Sequence, residues 1–469
     1  MAKVNPVKIL EVCRVTPSSD SSKHAIESSL SLTHFEFFWL RFYPVEQIYF
    51  YELTDSTSSF FSSVILPKLK SSLSLALLHF LPVAGNITWP SNATKPVVLY
   101  TPNDGVSVTV AESNADFSYL SGNHMNEAID SHQYVPELAI SDSKAAILAL
   151  QITLFPNQGF SIGVASHHGF LDGKSIVMFI RAWAHICKQI ETEKIPTLSP
   201  ELTPCFDRTD FQDPEGLDMV YLNNWLEAKL PGFNDTPKSL KLLPADNSLS
   251  NLARATFDLS PEDIKKLRQK LLSQLDDPNQ TKTMHLSTFV LSYAYTLVCI
   301  AKARMFEGKR KIIIAFAADW RDRLDPPLPK NYIGCCVTTN PIFTEAETLI
   351  DENGFSFVAM KLSDMIKGLE KGILAGEKEK LGLVLKSIEV GHEDVIAVSA
   401  SPKFEVYETD FGWGRPKKVD FTSIDWNGGI SLLKSKGSNG GVEVGIVLEK
   451  REMEIFNSLF VNGLIDMSN

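Results

Sequence analysis

The middle of this chain interrupts the secondary-structure pattern of its two flanks. Between residues 191 and 244 periodicity fades, and prolines stand at positions 196, 200, 204, 214, 231, 237 and 244. Single hydrophobic cores stop growing at roughly 250–300 residues, whereas this chain has 469. The sequence therefore predicts two domains, residues 1–190 and 245–469, joined by a long crossover over residues 191–244.

Both flanks alternate between strand and helix patterns, which predicts a mixed α/β fold. The predicted strands are residues 45–51, 146–155, 160–165, 311–317, 418–424 and 442–448, with a turn at 437–441 before the last of them. Helices are predicted over residues 61–80 and 174–190, where apolar side chains recur at helical spacing. A further helix begins after Ser260, which suits an N-cap, with Pro261 in the first helical position.

Charge and cysteine content exclude several classes of protein. The formal net charge of −11 argues against nucleic acid and anionic membranes as partners. The six cysteines include no CxxC pair, so neither structural zinc nor a disulfide framework is expected. No uninterrupted apolar run reaches the roughly 18 residues of a membrane span, and the N-terminus lacks the apolar run of a signal peptide. We expect a cytoplasmic protein.

A histidine motif lies between a predicted strand and a predicted helix. The segment is SHHGFLDG, residues 166–173, and ligands often bind at such strand ends. Histidine has the unperturbed pKa nearest neutral pH and can accept and return a proton. His168 is therefore a candidate general base, although a histidine at a strand end is more often a satisfied polar residue.

Three other chemistries fit this segment less well. His168 and Asp172 could share a metal, but no HExxH pattern and no third ligand is present, so no metal is expected. Gly173-Lys174-Ser175 resembles the end of a P-loop, yet the glycine that a P-loop needs five residues upstream is replaced by His168. Ser166 lacks the GxSxG elbow of a hydrolase nucleophile.

A second motif gives the histidine its significance. The sequence DFGWG occupies residues 410–414, far downstream of the HxxxD formed by His168 and Asp172. This combination resembles the BAHD acyltransferases of plants. The resemblance extends to LTHFE at 32–36, LKSSLS at 69–74, FLPVAG at 80–85, DWRDR at 319–323 and PPLP at 326–329. Many members have Asp where Glu36 stands.

The resemblance implies two chloramphenicol-acetyltransferase-like domains, each a mixed β-sheet flanked by helices, with a tunnel between them. It implies a monomer that uses an acyl-CoA co-substrate, holds no permanent cofactor and forms no acyl-enzyme. His168 would deprotonate a hydroxyl as it attacks the thioester. Asp172 would hold the turn, together with Gly173, by pairing with Arg321 or Arg323; a catalytic triad is the alternative.

The resemblance assigns further residues to support and to coenzyme A. In DFGWG the roles of Asp410, Gly412, Trp413 and Gly414 would be structural, with Asp410 paired to a basic residue. The coenzyme A phosphates would lie near Lys265, Lys266, Arg268, Ser287 and Thr288. From spacing alone, the basic residues among them fit a solvated helix face equally well.

The segment YIGCC, residues 332–336, resembles the YFGNC motif of the flavonoid and phenolic glucoside malonyltransferase clade. It departs at Ile333 and Cys335, where the motif has Phe and Asn. Residues near the acyl group would be Tyr332 and two lysines, Lys403 and Lys174, because a malonyl carboxylate needs a cation; either lysine could instead be an exposed surface residue.

The favoured activity is malonyl transfer from malonyl-CoA to a sugar hydroxyl, the glucose 6-hydroxyl, of a phenolic or flavonoid glucoside. Two alternatives remain open. One is a hydroxycinnamoyl-CoA donor with a hydroxyl or amine acceptor. The other is a small-molecule-binding protein without catalysis, which the intact His168 disfavours.

Overall fold

The computed structural model describes residues 7–18, 26–192, 196–209, 211–229, 238–243, 249–275, 284–371, 376–390, 394–426, 428–437 and 440–467. Three prolines of the predicted crossover, at positions 231, 237 and 244, lie outside the described residues. Two residues of the predicted turn, Ser438 and Asn439, also lie outside them.

The strands are β1 (Lys8–Val15), β2 (Ser28–Ser31), β3 (Val45–Glu52), β4 (Asn86–Thr88), β5 (Val97–Tyr100), β6 (Val106–Glu112), β7 (Asn126–Glu127), β8 (Lys144–Ala146), β9 (Leu148–Phe155), β10 (Gly159–Ser166), β11 (Leu252–Leu259), β12 (Lys311–Asp319), β13 (Val337–Glu345), β14 (Asp394–Ser399), β15 (Lys418–Asp420), β16 (Ile430–Lys434) and β17 (Val442–Glu449). The α-helices are α1 (His34–Phe38), α2 (Ser58–Leu77), α3 (Leu81–Ala84), α4 (Phe117–Leu120), α5 (Ala128–His132), α6 (Gly173–Gln189), α7 (Leu217–Glu227), α8 (Pro261–Ser273), α9 (Thr288–Ala303), α10 (Ala346–Ile350), α11 (Gly354–Gly368), α12 (Glu377–Val390) and α13 (Lys450–Asp466), where α2 includes a turn of π-helix. The mixed α/β class is confirmed.

A six-stranded sheet forms the first half, in the order β1-β6-β9-β10-β3-β15. Strands β9 and β10 are buried along their whole length, as their nearly continuous apolar sequence predicts. They form an antiparallel hairpin whose turn places Asn157 at φ 59°, a conformation that asparagine tolerates. The hairpin directs β10 toward the histidine motif. A smaller sheet, β2-β5-β4-β8, lies in the same half.

A seven-stranded sheet forms the second half, in the order β13-β12-β14-β16-β17-β11-β7. Its central helix α9 is apolar on nearly all sides and is buried, as expected for a helix enclosed by a sheet and other helices. Helix α8 begins as its sequence predicts. The Ser260 side chain accepts a hydrogen bond from the Asp263 amide, and Pro261 is the first helical residue.

Each large sheet takes a short strand from the other half of the chain. Strand β15 pairs with β3 in the first sheet, and β7 pairs with β11 in the second. The two halves are therefore interlocked by backbone hydrogen bonds. The predicted domain boundaries at residues 190 and 245 were drawn from the sequence and stay a prediction.

Two details differ from the sequence expectations. The predicted strand 418–424 ends at Asp420, and residues Thr422–Trp426 form a 3₁₀-helix. The predicted crossover contains helix α7, whose buried residues Leu217, Tyr221, Leu222 and Trp225 recur at helical spacing. Because prolines lie on both sides of α7, the whole stretch was predicted to be a crossover, and the helical spacing of these few residues was missed.

Helix α2 is long and apolar enough to span a membrane by length and composition. Its contacts are those of a helix packed on a protein core. The Trp183 indole of α6 donates to the Leu69 carbonyl at 3.2 Å and to the Ser72 hydroxyl at 3.0 Å. On its polar side, Lys68 and Lys70 form ion pairs with Glu191 and Glu11, at 2.9 Å and 2.8 Å.

Candidate active site

The histidine motif forms a tight turn between β10 and α6. The amides of Phe170 and Leu171 both donate to the His167 carbonyl at 3.0 Å, which reverses the chain directly after the strand. Gly169 lies so close to Leu40 that a Cβ there would approach its Cα to 3.0 Å. A side chain here would push the Leu40 backbone away by a few tenths of an ångström, so glycine favours this packing.

The two histidines of the turn have different environments. His167 is fully buried, and its Nδ1 accepts a hydrogen bond from the Gly169 amide at 3.1 Å. Burial lowers the pKa of His167 to about 3. His168 is half-buried, so part of its ring is accessible. The structure thus leaves His168 open to a ligand and encloses its neighbour.

The His168 ring lies where the two halves of the chain meet. It stacks on Trp39 from the first half, with ring centroids 4.2 Å apart and planes 4° apart. Its Nδ1 lies 3.9 Å from the Cys335 sulfur of the second half. Burial lowers the pKa of His168 to about 4, although a hydrogen bond to its own main chain and the charge of Asp172 oppose the shift. The ring is therefore neutral at pH 7 and able to accept a proton.

Asp172 faces away from His168's ring and caps helix α6. Its Oδ1 accepts from the Ser175 amide at 2.9 Å, and its Oδ2 accepts from the Cys336 amide at 3.1 Å. The predicted ion pair with an arginine is present, and the arginine is Arg321, 2.8 Å from Oδ2. Burial opposes ionisation, but Arg321 and the amides outweigh it and lower the pKa of Asp172.

Arg321 connects the turn to the second half of the chain. Its guanidinium is fully buried and donates to the Ser175 hydroxyl at 3.0 Å and to the Gly334 carbonyl at 2.7 Å. It also donates to Asp319 at 3.0 Å. Arg323, the other candidate partner, instead donates to the Asp319 carbonyl at 2.5 Å. The buried charges of Asp172 and Arg321 thereby fix helix α6 against the segment before β13.

Gly173, the first residue of α6, allows a close approach on the other side of the turn. A Cβ at this position would lie 2.8 Å from the ring of Phe404. The loop that carries Phe404 therefore packs directly on the start of α6, next to Asp172. This contact brings Lys403, which precedes Phe404, into the neighbourhood of the motif.

The DFGWG loop packs at the opposite end of α6. Asp410 accepts from the amides of Gly412 and Gly414 at 2.8 Å and 3.0 Å, and both glycines have positive φ. The basic partner predicted for Asp410 is Lys188, at 2.7 Å. The ring of Trp413 lies beneath Lys68, whose Nζ is 4.9 Å from the ring centroid.

Phe411 anchors this loop in the core of the first half. Its ring is fully buried and contacts Trp183 edge to face at 4.7 Å and Tyr51 at 5.7 Å, as centroid distances. Lys188 is sixteen residues after Asp172 on α6, which places the two about 24 Å apart at the helical rise. DFGWG is therefore too far from His168 to touch the reacting atoms.

The residues predicted to bind coenzyme A are partly brought together. Arg268 of α8 donates to the Leu286 carbonyl at 2.6 Å, directly before Ser287, which caps α9, and Thr288, its first residue. Lys265 and Lys266 project from the same helix and pair with acidic residues of its first turn, Glu262 at 3.6 Å and Asp263 at 3.4 Å.

The three acyl-group candidates have unlike surroundings. Lys174 is half-buried beside the motif and pairs with Asp319 at 3.2 Å. Lys403 is exposed. Tyr332 is almost fully buried, 5.4 Å from Phe211 between ring centroids, and its hydroxyl has no partner among the described residues. The Arg321 guanidinium lies 5.7 Å from the centroid of the Tyr332 ring, and Lys174 is linked to the same arginine through Asp319.

Several residues of the site were not predicted from the sequence. Trp39 and Cys335 contact His168 directly, and Ser175 bonds both Gly334 and Arg321. Glu36, which stands where the motif usually has Asp, is fully buried and forms two bonds with Arg208, at 2.6 Å and 2.7 Å. Only their positions in the sequence could have pointed to two of these residues. Trp39 lies shortly after the LTHFE segment, and Cys335 stands where the YFGNC motif has Asn.

Comparison with known proteins gives consistent matches. A profile of the Transferase family matches residues 5–462. The malonyl-CoA:anthocyanidin 5-O-glucoside-6''-O-malonyltransferase of Arabidopsis thaliana is 42% identical, and phenolic glucoside malonyltransferase 1 of the same plant is 41% identical; each match covers 98% of both chains. Agmatine coumaroyltransferase of Arabidopsis thaliana is 37% identical over 97% of this chain and 98% of its own. The crystal structure of vinorine synthase has a TM-score of 0.69 at 23% identity, covering 97% and 98% of the two chains.

Proposed function

Because this chain belongs to the BAHD family of acyltransferases, we propose that it transfers a malonyl group from malonyl-CoA to the glucose 6-hydroxyl of a phenolic or flavonoid glucoside. One observation carries the chemistry: a neutral, half-buried imidazole, His168, at the junction of the two halves. The names of the two most similar relatives reported above support the donor and the acceptor class.

The neutral His168 ring accepts the proton of the acceptor hydroxyl as its oxygen attacks the thioester carbonyl carbon. General base catalysis of this kind contributes roughly 10²–10⁴-fold. Two substrates held in one site react without a further encounter, which lowers the entropic part of the barrier. When the tetrahedral intermediate collapses, the C–S bond breaks and the imidazolium returns the proton to the leaving sulfur. No acyl-enzyme is required.

Asp172 contributes through position. Its two carboxylate oxygens are occupied by Arg321 and by two amides, so the group has little capacity left to orient the ring of His168. Its negative charge still favours the imidazolium that forms during the reaction, because it raises the pKa of His168. We propose that Asp172 and Arg321 fix the turn, as Asp410 and its neighbours fix the far end of α6.

The malonyl carboxylate would bind a lysine near the start of α6. Lys174 is the second residue of α6 and pairs with Asp319. Lys403 precedes Phe404, whose ring packs on Gly173 at the start of the same helix. A buried carboxylate without a cation is costly, so Lys174→Gln or Lys403→Gln should raise the KM for malonyl-CoA while leaving turnover of acetyl-CoA unchanged. Equal effects on both donors would remove these lysines from the acyl site.

The coenzyme A phosphates would bind where α8 meets the start of α9. A helix N-terminus and nearby basic side chains favour anions together, and Arg268 connects the two elements. Arg268→Gln should weaken binding of coenzyme A and of every thioester alike. In contrast, Lys265 and Lys266 contribute less in this proposal because each also pairs with an acidic neighbour.

We also propose that the enzyme acts as a cytoplasmic monomer. The six cysteines are all free thiols, which suits a reducing compartment. Light scattering of the purified protein tests the oligomeric state, and a fluorescent fusion tests the compartment. A dimer, or fluorescence in an organelle, would contradict the proposal.

The test of the function is a panel of donors and acceptors read by mass spectrometry. Malonyl-, acetyl- and p-coumaroyl-CoA are each offered with a phenolic glucoside, its aglycone and an amine. The expected product is the glucoside that has gained one malonyl group. Malonyl transfer to the aglycone instead would contradict the sugar acceptor, and no transfer from any thioester would favour a binding protein.

A second candidate has one specific observation in its favour. One relative, 37% identical to this chain, is named agmatine coumaroyltransferase. That name indicates an aromatic acyl group as donor and an amine as acceptor. A preference for p-coumaroyl-CoA with an amine in the same panel would replace malonyl transfer by this activity. His168 would serve as the base in either case.

A further inference from the structure

The ring of His168 is held by two side chains for which the proposed mechanism has no role. Trp39 covers one face of the imidazole in a nearly parallel stack. The indole is itself fixed, because its Nε1 donates to the Val337 carbonyl at 2.7 Å. Trp39 thus connects the catalytic ring to the first residue of β13 in the other half.

The second side chain, Cys335, lies just before β13. Its sulfur is 3.9 Å from His168 Nδ1. The residues on both sides of it are anchored, because the Gly334 carbonyl accepts from Arg321 and the Cys336 amide donates to Asp172. Burial raises the pKa of Cys335 well above its usual range, so the group is a neutral thiol at the pH of catalysis.

These contacts select one form of the neutral ring. The ring hydrogen-bonds its own main chain, and only Nδ1, which is adjacent to the ring carbon bonded to Cβ, can reach its own carbonyl. A carbonyl oxygen accepts only, so Nδ1 carries the proton. The sulfur, a weak acceptor, lies next to the same nitrogen. The lone pair of the ring is consequently on Nε2.

We propose that Trp39 and Cys335 are positioning residues that hold the His168 ring in one orientation, with Nδ1 toward Cys335 and Nε2 presented to the acceptor hydroxyl. This inference rests on the proposed role of His168 as the base. The YFGNC motif, which this segment resembles, has asparagine at position 335. An asparagine there has nearly the same size, and its amide oxygen is an acceptor that can face the Nδ1 proton.

The test compares kcat, KM and the pH profile of Trp39→Ala, Trp39→Phe, Cys335→Ala and Cys335→Asn with the wild type. Trp39→Ala should lower kcat about 10–100-fold, since small displacements of a catalytic group are costly, with KM for malonyl-CoA within about twofold. Trp39→Phe keeps a stacking ring and loses only the bond to Val337, so its loss should be smaller. Cys335→Ala should lower kcat about 3–10-fold. Cys335→Asn, in contrast, should keep kcat at the wild-type value.

The pH profile separates positioning from stability. Burial is the main cause of the low pKa of His168. The titratable groups near the ring are Asp172, which acts on it through its charge, His167 and the Cys335 thiol. Removal of the indole admits water to one ring face, so the acid limb of kcat/KM should move to higher pH in Trp39→Ala. A merely structural residue would leave that limb unchanged.

Two controls remove buried side chains away from the site. Cys299→Ala deletes a buried thiol in α9, and Trp89→Phe removes a buried indole in the first half; both should keep the wild-type profile. If Trp39 and Cys335 variants turn over like the wild type per folded molecule, the positioning role is wrong while the base can stand. If His168→Ala itself retains turnover, the proposed function fails first.

Discussion

The two ends of helix α6 carry the two motifs, and they are built differently. At its start, Asp172 forms a buried ion pair with Arg321 of the other half of the chain. At its end, Asp410 and Lys188 form a more exposed pair, and the loop is held by the buried ring of Phe411. The first end needs exact placement beside His168, which directional bonds provide. The second needs only bulk and shape, which aromatic packing provides.

The largest effect is expected at the aromatic end. Phe411→Ala removes a ring that contacts Trp183 and Tyr51, and cavities of this size cost about 3–5 kcal/mol. Activity should be lost mainly because the protein unfolds. Urea unfolding together with kcat per folded molecule checks this, and a well-folded variant with no turnover would contradict a purely structural DFGWG.

Asp172→Asn tests the charged end. The substitution keeps the shape but leaves Arg321 without its main partner, and breaking a buried ion pair costs about 3–5 kcal/mol. A lower melting temperature should accompany a partial loss of kcat. Unchanged melting with a severe fall in turnover would mean that Asp172 acts in the chemistry itself.

Mild acid should lower the free energy of unfolding, mainly through the two histidines that precede helix α6. The pKa values of His167 and His168 are lowered by burial to about 3 and about 4, against about 6.5 in the unfolded chain. As pH falls below 6.5, the unfolded state binds protons that the folded state does not. Stability therefore falls by up to about 1.4 kcal/mol per pH unit for each histidine.

Melting temperatures measured between pH 7 and pH 4.5 check this slope. In His167→Asn, whose amide oxygen can replace Nδ1 as the acceptor for Gly169, the slope should be shallower. The pKa values of Asp172 and Asp410 are lowered in the folded protein. They add a loss only below about pH 4, where the same carboxylates bind protons in the unfolded chain but not yet in the folded one. A flat response down to pH 4.5 would show that the histidines are already accessible to protons.

The smallest effect is expected for Asp410→Asn. Its amide oxygen can still accept from the amides of Gly412 and Gly414, so only the ion pair with Lys188 is lost. Lys188 is largely exposed, and such pairs contribute about 0–1 kcal/mol. Activity and melting should stay close to the wild type. A large loss would indicate that this carboxylate does more than hold its loop.

Local patterns predicted much of this molecule. The buried hairpin β9–β10, helix α6 and the cap at Ser260 follow from periodicity and from residue types a few positions apart. The two motifs, read together, also gave the family, and the partner of Asp172 was one of two arginines named. These features depend on short stretches of chain or on residues that the motifs contain.

Long-range contacts could not be predicted in this way. Trp39 and Cys335 are distant in sequence from His168. Trp39 meets it within the first half, and Cys335 meets it where the two halves join. The exchange of β7 and β15 between sheets depends on three or fewer residues each, too few for a periodic signal. Lys188 was likewise identified only by its distance to Asp410.

The central claim is that one imidazole takes the proton of the acceptor. It is tested by kcat of His168→Ala with malonyl-CoA and a phenolic glucoside, together with the melting temperature. We expect kcat to fall roughly 10²–10⁴-fold while melting and coenzyme A binding stay near the wild type. Turnover that survives this substitution at the wild-type rate would contradict the account.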